Sequence, residues 1–502
     1  MKLPPALLLA VAALATAKPV DLHHTTLAHI SLNHQAVGSD FVSVSNGTFY
    51  QKGKPTYLVS MNYWAALNLA ASDEAGGNIS RFETEMEQMA AKGINNLRIV
   101  CYLFQPRTSQ YLDHHFTPWQ MASSEASQLG VQPFRMYPAL MTAPGVYNEE
   151  IFVGLDRTLA KMANLSMTAV MTLNNFWHWS GGISQYVSWA DNLNVTIPYP
   201  PSWDPTLNPP FGDYSTNGSW GSYLGNSTYS GFPGYAGRFY NDSSISNLTN
   251  TWWRAHINTV ANRRNTFNGR IYKEDPTIMT WELMNEPQDP PLSWVVDTAD
   301  YIKQIAPKQL VTVGFEGKQG EWWYKRVHSP ASVDYGCAHL WVQNWGYYDP
   351  TVSNASSLGT ALNFANEFLT NVSRWSLDIG KPVVLEEFGM ARDEWENVER
   401  GAPTEFYLYD ASAGTTHKDT YFTYVLDLVL AFWKSGKAFA GAGPWAYGGI
   451  WRPFNARNQF NELWAGDPPH EAPGWYDLYD SDYAMEIVKN QADVAAAHIA
   501  TL

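Results

Sequence analysis

Three shortages narrow the reading of this chain. Cysteine is scarce: Cys101 and Cys337 are the only two among 502 residues, so at most one disulfide is possible. Basic residues are outnumbered, 32 Lys and Arg against 47 Asp and Glu, for a formal net charge of −15. Such a chain repels nucleic acid and anionic membranes, and neither is expected as a partner. Apolar runs of bilayer length are missing as well; the one at the N-terminus is too short for a comfortable span. No pair of His or Cys residues has the spacing of metal ligands, so no metal and no other cofactor is expected. No linker, internal repeat or separate binding module interrupts the chain, and a monomer is expected.

What is abundant points elsewhere. Hydrophobic residues make up 45% of the chain, enough for a large core. The 22 Trp and 28 Tyr supply flat rings with a polar tip, which suit neutral ring-shaped ligands such as sugars as well as core packing. The N-terminal "MKLPPALLLAVAALATAKP" has one Lys, an apolar run and a small-x-small site at Ala15-Thr16-Ala17. It reads as a signal peptide over 1–17, leaving 18–502 as one secreted domain. Asn-x-Ser/Thr sequons begin at Asn46, Asn78, Asn164, Asn194, Asn217, Asn226, Asn241, Asn247, Asn354 and Asn371. Glycan on some of them fits secretion, and their crowding between Asn194 and Asn247 suggests an exposed loop.

Strand-like and helix-like segments then alternate to the end. A hairpin with turn chemistry at Asn46-Gly47 and Gly53-Lys54-Pro55 leads into "YLVSMNYW". "RFETEMEQMAAKG" is an amphipathic helix closed by Gly93 and followed by the strand "INNLRIV". Further strands are "TAVMTLNNFW", "TIMTWELMNEP", "LVTVGFEG", "DYGCAHLWV", "KPVVLEEFG" and "AFAGAGPWAYGG", with helices between them. The helix is weakly marked only between the fifth and sixth. Eight near-continuous apolar strands separated by helices predict an α/β fold, a (β/α)8 TIM barrel. Two stretches, near 179–250 and 446–480, read as long loops; each follows a strand and belongs on the catalytic face. Cys101 and Cys337 would stand far apart around such a barrel, which favours two free buried thiols over a disulfide.

Strand C-termini in this fold face the active site, so the polar residues there are the candidates. They are Asn62, Arg98, Asn174, Asn175, Asn285, Glu286, Glu316, His339, Glu386, Glu387 and, on the eighth strand, Trp445. An Arg inside "NLRIV" and a His inside "CAHLW" require partners if buried. Glu282 shares the parity of Glu286 and reads as an inward network member, whereas alternation turns Glu386 away, toward a structural ion pair. Trp177, Trp179, Trp189 and Trp451 read mostly as core, with one or two of them lining the groove, and His178 as a loop residue rather than a metal ligand. Two carboxylates with an Arg, a His, amides and a Trp suit glycoside hydrolysis, where one carboxyl protonates the leaving oxygen and the other attacks or activates water.

"WELMNEP", followed about a hundred residues later by "VVLEEFG", resembles glycoside hydrolase family 5, and its mannan-degrading members above all. "MNYW", "NNLRIV", "LNNFW", "GFEG" and "HLW" fall in the matching order from roughly residue 40 onward. The resemblance implies a retaining enzyme with Glu286 as acid/base and Glu387 as nucleophile. It implies that Asn285 binds the sugar 2-hydroxyl, Arg98 keeps Glu387 ionised, His339 bonds near the acid/base and Trp445 lies under the sugar. Glu316, Asn174 and Asn175 are further substrate contacts on this reading. Two departures bear on specificity. Trp341 stands where the family has a Tyr whose hydroxyl reaches the nucleophile, so that Tyr347 or Tyr348 substitutes or Glu387 loses a contact. Ala446 follows Trp445 in place of the usual Gln. The expected activity is a secreted endo-β-1,4-mannanase. An exo-acting β-mannosidase, a β-1,4-glucanase and an inactive carbohydrate-binding protein stand as alternatives. As the acid, Glu286 is expected to have a raised pKa.

Overall fold

The computed structural model describes residues 39–100, 136, 138–192, 197, 231–349, 354–393, 414–452, 466–468 and 476–502. Eight strands form one parallel sheet: β1 (Leu58–Asn62), β2 (Asn96–Val100), β3 (Thr168–Thr172), β4 (Ile278–Glu282), β5 (Leu310–Thr312), β6 (Gly336–Leu340), β7 (Val383–Phe388) and β8 (Phe439–Ala442). Their order, β5-β4-β3-β2-β1-β8-β7-β6, makes chain neighbours spatial neighbours. The ring closes between β5 and β6 by a different device. Asp334 N–H donates to Val311 O at 2.8 Å and His339 N–H to Glu316 O at 3.0 Å. Between them the buried free thiol of Cys337 accepts the amides of Gly314 and Phe315, each at 3.1 Å. Cys337 thus has the fate expected of it; Cys101, like residues 1–17, lies outside the described residues.

A helix follows every strand and covers it: α1 (Ile79–Ala91), α2 (Glu149–Asn164), α3 (Ser246–Asn262), α4 (Leu292–Ile305), α5 (Glu321–His328), α6 (Ala355–Asp378), α7 (Thr416–Lys434) and α8 (Tyr483–Ile499). With helices outside and side chains inside, β1 is buried at every position, as are β3 to β8, which is why they read as unbroken apolar runs. Local chemistry sets the helix ends. Asn78, Asn148 and Asn354 accept backbone N–H groups from the first turns of α1, α2 and α6. Gly93 leaves α1 at φ +78°, packed so that a Cβ would meet the Ala492 methyl at 2.6 Å.

The hairpin before the barrel forms a three-stranded meander whose first turn, Asn46-Gly47, has positive φ at both residues. Its Phe49 plugs the N-terminal mouth among Leu58, Met279, Leu310, Tyr335 and Val384. The opposite mouth is therefore the one left for chemistry.

Two features depart from the sequence reading. The 179–250 stretch contains helices Gly182–Ala190 and Gly231–Asn241. Its Gly, Pro and Asn content masks an aromatic face: Tyr186 packs edge-on against Trp189, Phe239 and Trp253. In the 446–480 stretch, Tyr447–Gly449 pairs in parallel with Leu478–Tyr479. The weakly marked helix between the fifth and sixth strands is α5, only eight residues long. Among the described residues no helix is long and apolar enough to cross a membrane.

Candidate active site

Arg98 is the hub of the C-terminal mouth. It leaves β2 inward, 1% exposed, and all five of its N–H donors are engaged. Nε and one Nη2 hydrogen form a fork on Glu282, at 2.8 and 2.6 Å. The other Nη2 hydrogen goes to Asn285 Oδ1 at 2.7 Å. Nη1 donates to Asn62 Oδ1 at 3.2 Å and to Glu387 Oε1. One buried cation thus fixes four side chains from three strands and their ends, and Glu282 is the inward network member that strand parity predicts.

His339 is the second hub. Its Nδ1 lies 2.8 Å from Glu286 Oε1 and 3.3 Å from Glu387 Oε2, while Nε2 is 3.9 Å from Glu386 Oε2. Burial pushes this imidazole toward its neutral form, but the surrounding carboxylates, Glu387 first, outweigh it and push the pKa up to about 10. Burial raises Glu387 to about 7, although His339 and Arg98 both pull it down. Burial also acts to raise Glu286. There the His339 hydrogen bond and charge, the Lys318 ammonium and the Trp177 indole prevail, holding the carboxyl below its ordinary value. This reverses the sequence expectation for Glu286: the proton it was expected to carry resides one hydrogen bond away, on His339.

Glu286 itself occupies the corner after β4 at φ +50°, a conformation few non-glycine residues adopt. Its N–H donates to Gly314 O at 2.9 Å. Trp177 Nε1 donates to its Oε2 at 2.6 Å. Trp177, assigned mostly to the core from sequence, is therefore a site residue; the only sequence signal was its place just after Asn174-Asn175 at the end of the third strand.

The remaining candidates separate by what their polar atoms already hold. Asn285 gives Nδ2 to Asn175 Oδ1 at 3.1 Å and keeps one amide hydrogen over. Asn175 is committed to the protein: Oδ1 also accepts Trp177 N–H at 3.0 Å, and Nδ2 donates to Ser180 Oγ at 2.7 Å. Asn174 Oδ1 accepts Asn175 N–H at 2.8 Å, while its buried Nδ2 has no partner among the described residues. Both oxygens of Glu316 face Lys318, at 3.0 and 2.9 Å. Glu386 forms the ion pair expected of it but faces inward rather than away: its Oε2 lies 3.9 Å from His339 Nε2, and Tyr335 donates its hydroxyl to Oε1 at 3.4 Å.

Trp445 and Trp341 stand edge to face with centroids 6.4 Å apart, and Trp341 continues to Tyr476 at 4.9 Å and Trp445 to Trp179 at 6.4 Å. This aromatic wall needs Gly389, where a Cβ would meet the Trp341 ring at 2.9 Å. Neither tyrosine substitutes for the absent hydroxyl. Tyr347 stacks on Phe364 at 3.6 Å, and Tyr348 bonds His417 Nδ1 at 3.2 Å. Tyr476 donates its hydroxyl to Asn344. Among the described residues Glu387 receives no hydroxyl.

One oxygen each of Glu286 and Glu387 and a His339 nitrogen lie within 4.8 Å of one another. The same three atoms could hold a divalent cation, but only by displacing the His339 proton and competing with Arg98 for Glu387.

Known proteins are similar to this chain. A family profile described as "GH family 5 beta-mannosidase-like" matches residues 39–112 and 119–499. The crystal structure of a glycoside hydrolase family 5 mannosidase from Rhizomucor miehei is 40% identical, with a TM-score of 0.77, over 92% of this chain and 99% of that one. Mannan endo-1,4-beta-mannosidase 3 of Arabidopsis thaliana is 27% identical over 385 residues, 71% of this chain and 74% of its own. An endo-beta-1,4-mannanase from Thermotoga petrophila, 20% identical with a TM-score of 0.56 over 88% of this chain and 77% of its own, shares the fold.

Proposed function

The chain belongs to glycoside hydrolase family 5, in its β-mannosidase-like group, and from that premise we propose a secreted, retaining hydrolase of β-1,4-mannosidic bonds in mannan and its oligosaccharides. The observation that carries retention is the approach of a Glu286 oxygen to a Glu387 oxygen within 4.8 Å. Retaining pairs stand about 5–5.5 Å apart, whereas inverting pairs leave about 6.5–9.5 Å for a water.

Glu387, held by Arg98, attacks the anomeric carbon. The proton on His339 Nδ1 crosses the 2.8 Å bond to Glu286 Oε1 with no change in the total charge of the pair. Glu286 then passes it to the departing glycosidic oxygen. Water next attacks the glycosyl–Glu387 ester, and Glu286 takes the proton the water loses. Asn285 has an amide hydrogen for the sugar 2-hydroxyl, the unpartnered Asn174 Nδ2 is a second donor, and Trp445 supports the sugar face.

Internal cleavage is the first reading, supported by relatives named endo-mannosidases that cover most of the chain. Removal of single mannose units is the second, favoured by the 40%-identical mannosidase. Sizing the first products from mannohexaose separates them: two-, three- and four-unit fragments from the start support the first, mannose with mannopentaose alone the second. Proton NMR of the freshly cut end tests retention, which requires the β-anomer to appear first; an initial α-anomer would overturn it. Glu286→Gln and Glu387→Gln should each lower kcat by roughly three orders of magnitude or more, and wild-type-like turnover in either would refute the assignment. Secretion is tested by N-terminal sequencing of protein recovered from the medium, expected to begin after Ala17.

A further inference from the structure

Behind Glu286 lies a polar chain that the reaction as described does not use. Gln288 Nε2 donates to the Glu286 carbonyl at 2.9 Å and to Glu316 Oε2 at 2.8 Å. Gln319 Nε2 donates in turn to Gln288 Oε1 at 3.2 Å. Glu316, 1% exposed, is clasped by Lys318 Nζ across both oxygens. Its own carbonyl accepts the N–H of His339, the residue bonded to the Glu286 carboxyl. Glu316 therefore reaches the acid/base twice, through Gln288 to its backbone and through His339 to its side chain.

We propose that Glu316 and Lys318 are positioning residues for the acid/base: the Glu316 carboxylate, clasped by Lys318, holds Glu286 in its left-handed corner through Gln288. The physical need is clear. A non-glycine residue at φ +50° persists only where its surroundings over-determine it. A carboxylate as buried as Glu316 requires a paired cation to stay charged and accept from Gln288. Burial and the charge of Glu286 both favour protonation of Glu316, and Lys318 opposes them. Lys318 also acts on Glu286 directly, in the lowering direction. A carboxylate whose two oxygens face an ammonium from its own loop is poorly placed to be a sugar contact.

The proposal rests on Glu286 being the acid/base but not on the sugar, so the assays use whichever β-mannoside or β-glucoside the wild type cleaves. Two leaving groups are compared, a sugar alcohol that needs protonation and 2,4-dinitrophenolate, which does not. Lys318→Met should move the basic limb of kcat/KM for the sugar leaving group upward, by up to about one pH unit. It should leave the glycosylation rate for the dinitrophenyl glycoside within about twofold of wild type. Lys318→Arg should restore the wild-type limb. Glu316→Gln, which keeps the shape and loses the charge, should lower kcat for the sugar leaving group with little change in KM. An unmoved or downward limb in Lys318→Met, or equal losses for both leaving groups, would overturn the proposal. So would a rise in KM without a fall in kcat in Glu316→Gln, which marks a direct sugar contact.

Discussion

His339 shows how much one residue can decide. Its isolation in an apolar strand was visible in sequence, and the structure explains the cost of placing it there: three carboxylates surround the ring. Its charge and hydrogen bond lower Glu286, and its charge lowers Glu387. Removing the imidazole must therefore raise both carboxyls. Activity requires Glu387 ionised, so it is lost as pH falls through the Glu387 pKa. His339→Asn should shift the acid limb of kcat/KM from near pH 7 upward, by about one unit. It should also cut kcat by roughly two orders of magnitude, because the proton store for Glu286 is gone. A pH-rate series reads both, and an acid limb that stays or moves downward contradicts this account. Trp177 marks the limit of sequence reading at this scale. An indole in an aromatic-rich segment looks like core, and only the fold shows its N–H aimed at Glu286.

At the scale of elements, alternation along a strand was a good guide where strands are regular and a poor one where they are not. On β4 it put Glu282 inward, and Glu282 takes the Arg98 fork. On β7 it turned Glu386 away, yet Glu386 and Glu387 approach the two ring nitrogens of His339. Register shifts between Val383 and Val384 and between Ala338 and His339 break the period-two rule there, and no residue pattern announces them. The end of β5 carries a tighter constraint. Gly314 sits at φ +83°, and a Cβ on it would come 1.9 Å from Met284 O and 2.5 Å from Glu282 Oε1. Backbone cannot yield as a side-chain tip can, so Gly314→Ala must push β5 off β4 and loosen the Glu282 fork on Arg98. The expected cost is about 3 kcal/mol or more in denaturant unfolding, with a fall in kcat through Arg98 and Glu387. A variant with wild-type stability and rate would show that this corner is softer than its geometry.

At the scale of the whole molecule, the barrel was legible because fully buried parallel strands and their covering helices leave a strong alternating pattern. What that pattern could not convey is the cost of collecting Glu282, Glu286, Glu316, Glu386 and Glu387 around one Arg, one His and one Lys in a dry mouth. Burial pushes Glu387 from the ordinary carboxylate range up to about 7. Between about pH 4.5 and 7 the folded chain therefore keeps a proton on this group that the unfolded chain has lost. Glu387 contributes its full stability below pH 4.5, and that contribution disappears as pH rises through 7. Other buried groups act in the same window: Asp477, raised by burial to about 6, works in the same direction, while His256 and His328, lowered by burial to about 4 and about 3, oppose it. The test must therefore be a difference, wild type against Glu387→Gln, in which those distant terms cancel and what remains is Glu387 together with the His339 imidazole that it raises. Glu387→Gln should match wild-type stability near pH 4.5 and exceed it increasingly toward pH 7.5, by on the order of 3 kcal/mol. Calorimetric unfolding at several pH values reads this directly. A difference that is flat, or that shrinks as pH rises, would mean that Glu387 ionises in the fold as readily as in water. A growing one would show the barrel giving up stability to hold its nucleophile where the reaction requires it.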